Sequence, residues 1–271
     1  MSVMHQDGFD IAYKSKIESD LLIINQCDKD GYEEITVNGF LWRMIYTTER
    51  GLSKSRNMAL KNARGEICLL ADDDEVFSGG YATAVVNAFN EVKNADVLVF
   101  NLNRTNVRKK RVYYKIKKVK KAPWYRGYNS PMIAFKLNNI YDKISFNERF
   151  GSGTEWGGGE DILFLESVRK NYMKIYEYPF VIATIDYSKG SNWFSGFNEK
   201  YFYNLGAYDY FYYGKRVFLR ELRCLYDAIY RTRSDKRLSI RNKLKWIHRG
   251  MKGFKNNVTY KEFLAERDKN E

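Results

Sequence analysis

Over the first hundred residues, short apolar runs alternate with amphipathic stretches. Leu21-Leu22-Ile23-Ile24 ends in polar Asn25-Gln26, which reads as a buried strand feeding a loop. Residues 41–46 read as a second strand. Across 53–63 the apolar positions Met58, Ala59 and Ala63 fit a helix that Ser53 would cap. Residues 66–71 form a short buried strand that runs into three aspartates. Residues 81–92 read as a helix and 96–100 as a strand. Strands and helices alternating at this spacing predict an α/β layer with a mostly parallel sheet. Ligands of such sheets bind beyond the carboxyl ends of the strands, so the polar residues after each apolar run carry the candidate chemistry.

The middle of the chain is mixed. Residues 112–120 alternate in part and read as an exposed β-ribbon, 132–135 as a short strand, 161–169 as a helix and 180–185 as a strand. From Trp193 onward the pattern is helical, and Thr259 with Glu262 fits a capping box opening the last helix. The expected division is an α/β domain over 1–192 and a basic helical extension over 193–271. There is no internal repeat, no run of about 18 apolar residues that would span a membrane, and no signal peptide. A cytoplasmic protein is expected.

Composition changes this picture in one respect. The 271 residues are 44% hydrophobic and 16% aromatic, enough for a sizeable core, and carry a net charge of +13. The charge is uneven: residues 104–126 hold eleven Lys/Arg and no acid, and 215–255 again carry +11, which leaves the rest at −9. An acidic body with two basic segments predicts an anionic partner for those segments. Cys27, Cys68 and Cys224 are too few and too scattered for a disulfide framework and fit a reducing compartment.

Three constellations carry chemistry. Asp72-Asp73-Asp74 follows a buried strand, and adjacent carboxylates call for a counter-charge. A solvated acidic turn and a site for Mg²⁺ or Mn²⁺ with a substrate phosphate both fit, and the place after a strand favours the second. Gly51-Leu52-Ser53-Lys54-Ser55-Arg56-Asn57 opens a helix whose N-terminus, Lys54 and Arg56 can meet an anion; an ordinary basic helix fits as well. Trp156-Gly157-Gly158-Gly159-Glu160-Asp161 is a glycine-dense loop ending in paired carboxylates at a helix start. One of those carboxylates suits a general base and the Trp offers a stacking face, while a flexible loop with acids placed for the helix dipole is the plainer alternative.

Taken together, the three are more specific. The stretch GLSKSRNMALKNARGEICLLADDD resembles the nucleotide-sugar-binding half of GT-A, family 2 glycosyltransferases, through Ser53, Arg56-Asn57, Ala63-Arg64-Gly65-Glu66 and the aspartates of a DxD motif. Gly157 to Asp161 resembles the acceptor-side Gly-Gly-Glu-Asp element of inverting members, and the likeness covers about Val3 to Ala207, including Asn192-Trp193-Phe194.

The resemblance implies an α/β GT-A fold: a mostly parallel central sheet flanked by helices, with a helical C-terminal extension. It implies a metal-dependent, inverting enzyme moving a sugar from a nucleotide-diphosphate donor, a UDP-sugar above all, to a hydroxyl of a saccharide or lipid-linked saccharide in cell-surface polysaccharide synthesis. In that scheme Asp72 and Asp74 hold Mn²⁺ or Mg²⁺, and Asp73 contacts the ribose or supports the metal. Arg56 contacts the nucleotide, and Met4, His5 and Asn25 lie at the base. Asp161 is the catalytic base, Glu160 supports it or binds acceptor hydroxyls, and Trp156, Gly158 and Gly159 face the acceptor.

The chain departs from the family in two places, and it lacks the late His that some GT-A enzymes use as a metal ligand. The first strand is short, which points to a missing preceding segment or a later start codon. The second ends in Asn25-Gln26 where an Asp is usual. No His lies between His5 and His248, so water, phosphate or Asp186 takes the place of a late His ligand. A nucleotidyltransferase and a non-catalytic basic module for nucleic acid or membrane are the competing classes. The second leaves both acidic motifs unexplained, and no nucleic-acid partner is expected. Residues 215–255 fit either a peripheral anionic membrane surface on the inner face of the plasma membrane or packing on the acidic body.

Overall fold

The computed structural model describes residues 1–107, 113–189, 196–233 and 236–269. The chain forms two compact units, Met1–Glu148 with Glu160–Gly190, and Arg149–Gly159 with Ser191–Glu271. The glycine-dense loop therefore belongs with the C-terminal helices.

In chain order the first unit holds β1 (Ser2–Met4), α1 (Asp10–Lys14), β2 (Leu21–Gln26), β3 (Gly31–Val37), β4 (Phe40–Thr47), α2 (Leu52–Asn62), β5 (Ile67–Leu69) and β6 (Glu75–Phe77). It continues with α3 (Tyr81–Glu91), β7 (Val97–Thr105), β8 (Lys120–Lys121), β9 (Ile133–Lys136), α4 (Leu137–Ile140), α5 (Glu160–Lys170) and β10 (Ile175–Asp186). The fold is α/β with mixed sheets flanked by helices.

One sheet runs β1-β2-β4-β3. Its first three strands are parallel, with Val3 opposite Asn25 and Leu21 opposite Trp42. Ile23 and Ile24 are both fully buried, as a strand covered on both faces requires. Strand β3 was not expected, because Tyr32-Glu33-Glu34 are exposed and polar. Its signal was Asn38-Gly39, whose positive φ angles (51° and 85°) close a tight hairpin onto β4.

The other sheet runs β5-β9-β7-β10-β6, with β8 pairing β10. Strands β7 and β10 are parallel and the remaining pairs antiparallel. Val97, Leu98, Val99 and Phe100 are fully buried, each worth roughly 1.5–3 kcal/mol relative to exposure. Strand β10 starts earlier than its apolar run suggests, because Pro179 falls in a register irregularity between Glu177 and Val181 and hides the continuity. Ser2 N–H donates to the Ala71 carbonyl (3.3 Å), where the segment after β5 passes β1.

Two local expectations are corrected. Residues 113–119 form no strand, and Val112 lies outside the described residues. Ile116 is instead buried, its backbone gripped by the Asn101 side chain, which accepts from its N–H (2.8 Å) and donates to its carbonyl (2.9 Å). Ser53 is not the cap of α2: the capping position is Gly51 (φ 118°), whose N–H donates to Gln26 Oε1 at 2.7 Å. Part of the first basic segment is spent internally. The buried Glu177 carboxylate takes Arg126 (2.7 Å), Lys120 (3.5 Å) and the Tyr114 hydroxyl (3.1 Å), with Tyr128 also donating. Burial would raise Glu177, and those donors hold it below the ordinary range.

The second unit holds α6 (Glu199–Tyr213), α7 (Val217–Tyr226), a π-wound turn (Asp227–Arg231), α8 (Ile240–Asn256) and α9 (Tyr260–Asp268). The expected capping box is present: Thr259 accepts from Glu262 N–H while Glu262 accepts from Thr259 N–H. Helices α6 and α8 cross backbone to backbone. A Cβ on Gly250 would lie 1.8 Å from the Tyr203 carbonyl oxygen, and one on Gly206 would lie 1.9 Å from that of Ile247.

Candidate active site

Helix α2 delivers the centre of the site. Its Arg56 is almost wholly buried, and the guanidinium reaches three carboxylates: Asp161 Oδ1 at 2.7 Å, Asp72 Oδ1 at 3.0 Å and Glu160 Oε1 at 3.3 Å. It also donates to Ser130 Oγ at 2.6 Å. Ser130 closes the ring, its hydroxyl donating to Asp72 Oδ2 (3.1 Å) and its backbone N–H to Asp161 Oδ2 (3.0 Å). Four segments far apart in sequence thus meet on one cation. The adjacent Asn57 locks a fifth: it accepts from Phe146 N–H (2.7 Å) and donates to the Phe146 carbonyl and to Glu148 (both 2.9 Å).

The electrostatics follow from that packing. Burial alone would lower Arg56, but the carboxylates of Asp161, Asp72 and Glu160 outweigh it and keep the guanidinium protonated. Asp161 is pushed up to about 7, by burial first and then by Glu160 and Asp72, against the pull of Arg56 and the Ser130 N–H. Its side chain keeps 19% of its surface exposed, so it is covered yet reachable. Behind Asp72 lies Glu75, which accepts from Asp72 N–H at 2.6 Å and is held well above the ordinary range by burial and by the Asp72 charge.

Asp73 and Asp74 are exposed and stand outside this ring. Both are raised, chiefly by desolvation and then by neighbouring aspartates, Asp72 in both cases and Asp73 also for Asp74. Among the described residues no three His, Cys, Asp or Glu side chains converge as a ready cage for a metal. A hard divalent cation shared with a substrate diphosphate draws on only one or two carboxylates, and the outward Asp73 and Asp74 suit that role, beside Asp72, whose two oxygens accept from Arg56 and Ser130. Asp186, the other residue considered as a ligand, accepts from Asn106 Nδ2 (2.8 Å), Ser188 N–H (2.9 Å) and Ser188 Oγ (2.9 Å), which fixes the turn after β10.

At the carboxyl ends of β1 and β2 lies a cavity of about 310 Å³ lined by His5, Gln6, Asp7, Cys27, Asp28 and Lys29. His5 is in its wall, with φ of 49°. Met4 is half exposed and is not among the lining residues. Asn25 is fully buried and spends its amide on Gln6, accepting from its N–H (3.1 Å) and donating to its carbonyl (2.7 Å). Asn25 therefore shapes the cavity from behind instead of facing into it. An acid does line the cavity: Asp28, two residues beyond β2, paired with Arg50 at 2.6 Å. Its signal was the polar run that continues past Gln26.

In the second unit, Gly158 and Gly159 both adopt positive φ (81° and 91°), and a Cβ on Gly159 would lie 2.6 Å from the Tyr208 ring. Trp156 has no exposed surface. Its ring lies parallel to Tyr203 (centroids 6.1 Å apart, 9°) and against Phe254 (5.3 Å). The stacking face expected of Trp156 is thus turned into the aromatic core of its own unit. Asn192-Trp193-Phe194 lies outside the described residues.

The family model of glycosyl transferase family 2 matches residues 3–150, more than half of the chain. The chain belongs to this family. The fold agrees. A crystal structure of S. aureus TarS, residues 1–349, superposes with a TM-score of 0.61 at 16% identity, covering 92% of this chain and 77% of that one. The same fragment in complex with UDP-GlcNAc gives 0.54 at 17% identity, covering 96% and 76%. No curated protein matches the chain. Family membership makes this protein a GT-A glycosyltransferase and sets aside the nucleotidyltransferase and non-catalytic readings.

Proposed function

We propose that this glycosyltransferase moves a sugar from a UDP-sugar to a hydroxyl of a saccharide or polyprenyl-diphosphate-linked saccharide, with inversion at the anomeric carbon. The observation that carries the reading is the Arg56 ring, which ties the Asp72 segment to the Glu160-Asp161 pair. The UDP-GlcNAc complex of the structural neighbour supports the donor class, and the cavity beside His5 and Asp28 is of a size for the nucleotide's base.

Asp161 is the base. It removes the proton from the acceptor hydroxyl as that oxygen bonds to the anomeric carbon and the bond to the diphosphate oxygen breaks. Arg56 orients the Asp161 carboxylate and opposes its neutralisation. Glu160 shares that guanidinium and supports the base. Asp72 and Asp74 would hold Mn²⁺ or Mg²⁺, with Asp73 at the ribose or beside the metal. A cation there supplies charge neutralisation for the departing diphosphate. Gly158, beside which there is open space, allows the acceptor close approach to backbone, whereas the room at Gly159 is taken by the Tyr208 ring.

Asp161→Asn should lower kcat by about 10²–10⁴-fold and leave UDP affinity within about twofold in calorimetry. Equal loss of both would place Asp161 on the donor side. Asp74→Ala should remove the Mn²⁺-dependent part of UDP binding, and an unchanged affinity would overturn the metal assignment. The base must be ionised to act, so kcat/KM should rise with pH up to about 7 and then level off. A profile flat down to pH about 5 would exclude Asp161 as the base.

A further inference from the structure

Helix α7 is built inside out. Phe218, Leu222, Leu225 and Ile229, spaced four, three and four residues apart, form one stripe of a helix. All four are exposed, Phe218 at 74%, and Leu219, Tyr226 and Tyr230 widen the stripe on its flank. The face turned inward carries instead Cys224, Ala228 and the Asp227 carboxylate, all fully buried. Apolar residues are thus spent on solvent while a carboxylate is spent on the interior, the reverse of what folding alone would select.

Cations stand at both ends of the stripe. Lys215 and Arg216 precede it, and Arg233 and Lys236 follow it, all exposed, while Arg231 is paired with Asp227 at 3.4 Å. The acid of the helix, Glu221, is turned aside to His248 at 2.8 Å. No helix among the described residues is long and apolar enough to cross a membrane.

We propose that α7 with its following turn is an interfacial anchor, lying flat on an anionic lipid bilayer. The apolar stripe enters the acyl boundary and the terminal Lys and Arg side chains meet the headgroup phosphates. Charge decides between this occupant and a second copy of the chain. Apposing two such faces in either orientation sets cationic ends against cationic ends, whereas a lipid surface brings the opposite sign. Of the two readings open for residues 215–255, a membrane surface or packing on the body, the inference assigns the first to α7. It does not depend on the transfer chemistry, so its failure would leave the proposed reaction standing.

The test is co-sedimentation of the full chain with phosphatidylcholine vesicles, alone or with about a third phosphatidylglycerol. The wild type should bind the anionic vesicles and not the neutral ones. Phe218→Ser with Leu222→Ser should weaken that binding by about tenfold or more, with an unchanged melting curve because both positions are exposed. Lys215→Gln with Arg216→Gln should weaken it by about tenfold or more through lost charge. Absence of binding to anionic vesicles, or equal binding of the wild type and the serine pair, would overturn the proposal. A dimer in light scattering that the serine pair splits, with no vesicle binding, would assign the face to a second copy.

Discussion

Helices α7 and α8 carry the same kind of sequence, Lys/Arg alternating with large apolar residues, and the fold treats them oppositely. On α8 the apolar side is inside: Trp246, Ile247 and Met251 are buried, and the ring of Trp246 meets Tyr260 and Phe263 at centroid distances of 5.8 and 5.7 Å. Even Lys243 is drawn in, donating to the Thr232 carbonyl (3.0 Å) and hydroxyl (3.1 Å). On α7 the apolar side is outside. The difference lies in what each helix offers its neighbour. Gly250 lets α8 approach the Tyr203 backbone, and Gly253 makes room for the Tyr203 hydroxyl. The inner face of α7 meets Asp209, a buried carboxylate that, among the described residues, has no hydrogen-bond partner at one oxygen and accepts from the Cys224 thiol (3.8 Å) at the other. Amphipathicity fixes that a helix has two faces, and the partner surface fixes which one is covered.

The contrast should break most sharply at Gly250. Gly250→Val forces α6 and α8 apart and should cost about 4 kcal/mol or more in chemical denaturation. A loss under about 1 kcal/mol would mean that close approach is not what holds α8. Next comes Trp246→Ala, expected to cost about 3–5 kcal/mol by the same measurement.

Asp209 sharpens the other side. Burial first, and then Asp227, push it up to about 7, against Arg223 and Arg231. Its unfolded value is near 4, so the stability gained by keeping it protonated is present in acid. That stability is lost as pH rises from about 4 through 7. Asp209→Asn should therefore raise the melting temperature at pH 8, by roughly 1–3 kcal/mol of stability. Near pH 4 it should have little effect, and a gain independent of pH would show that the charge is not the cause. The smallest effect belongs to the exposed stripe, where Phe218→Ala should stay within about 0.5 kcal/mol of wild type.

The candidate site was legible in part. The two acidic motifs and the Arg-Asn pair stand out in the sequence because each follows a strand or opens a helix. That Arg56 touches Asp72, Glu160 and Asp161 at once was not legible, since those carboxylates lie 16, 104 and 105 residues away. Ser130 had no sequence signal at all, being one serine in an irregular stretch. Trp156 was misleading for the same reason as α7: an aromatic beside glycines looks available, and only packing against Tyr203 and Phe254 shows otherwise.

The sequence by itself determined the α/β alternation, the strands at 21–26 and 97–100, the capping box at Thr259 and the family to which the first 150 residues belong. These are local or periodic properties, written in neighbouring residues. Tertiary structure alone decided which carboxylates share Arg56, that Asn25 faces backbone while Asp28 lines the cavity, and that α8 hides the face α7 shows. Each of those outcomes depends on the distance between residues remote in sequence, and hydrophobic pattern carries no record of that distance.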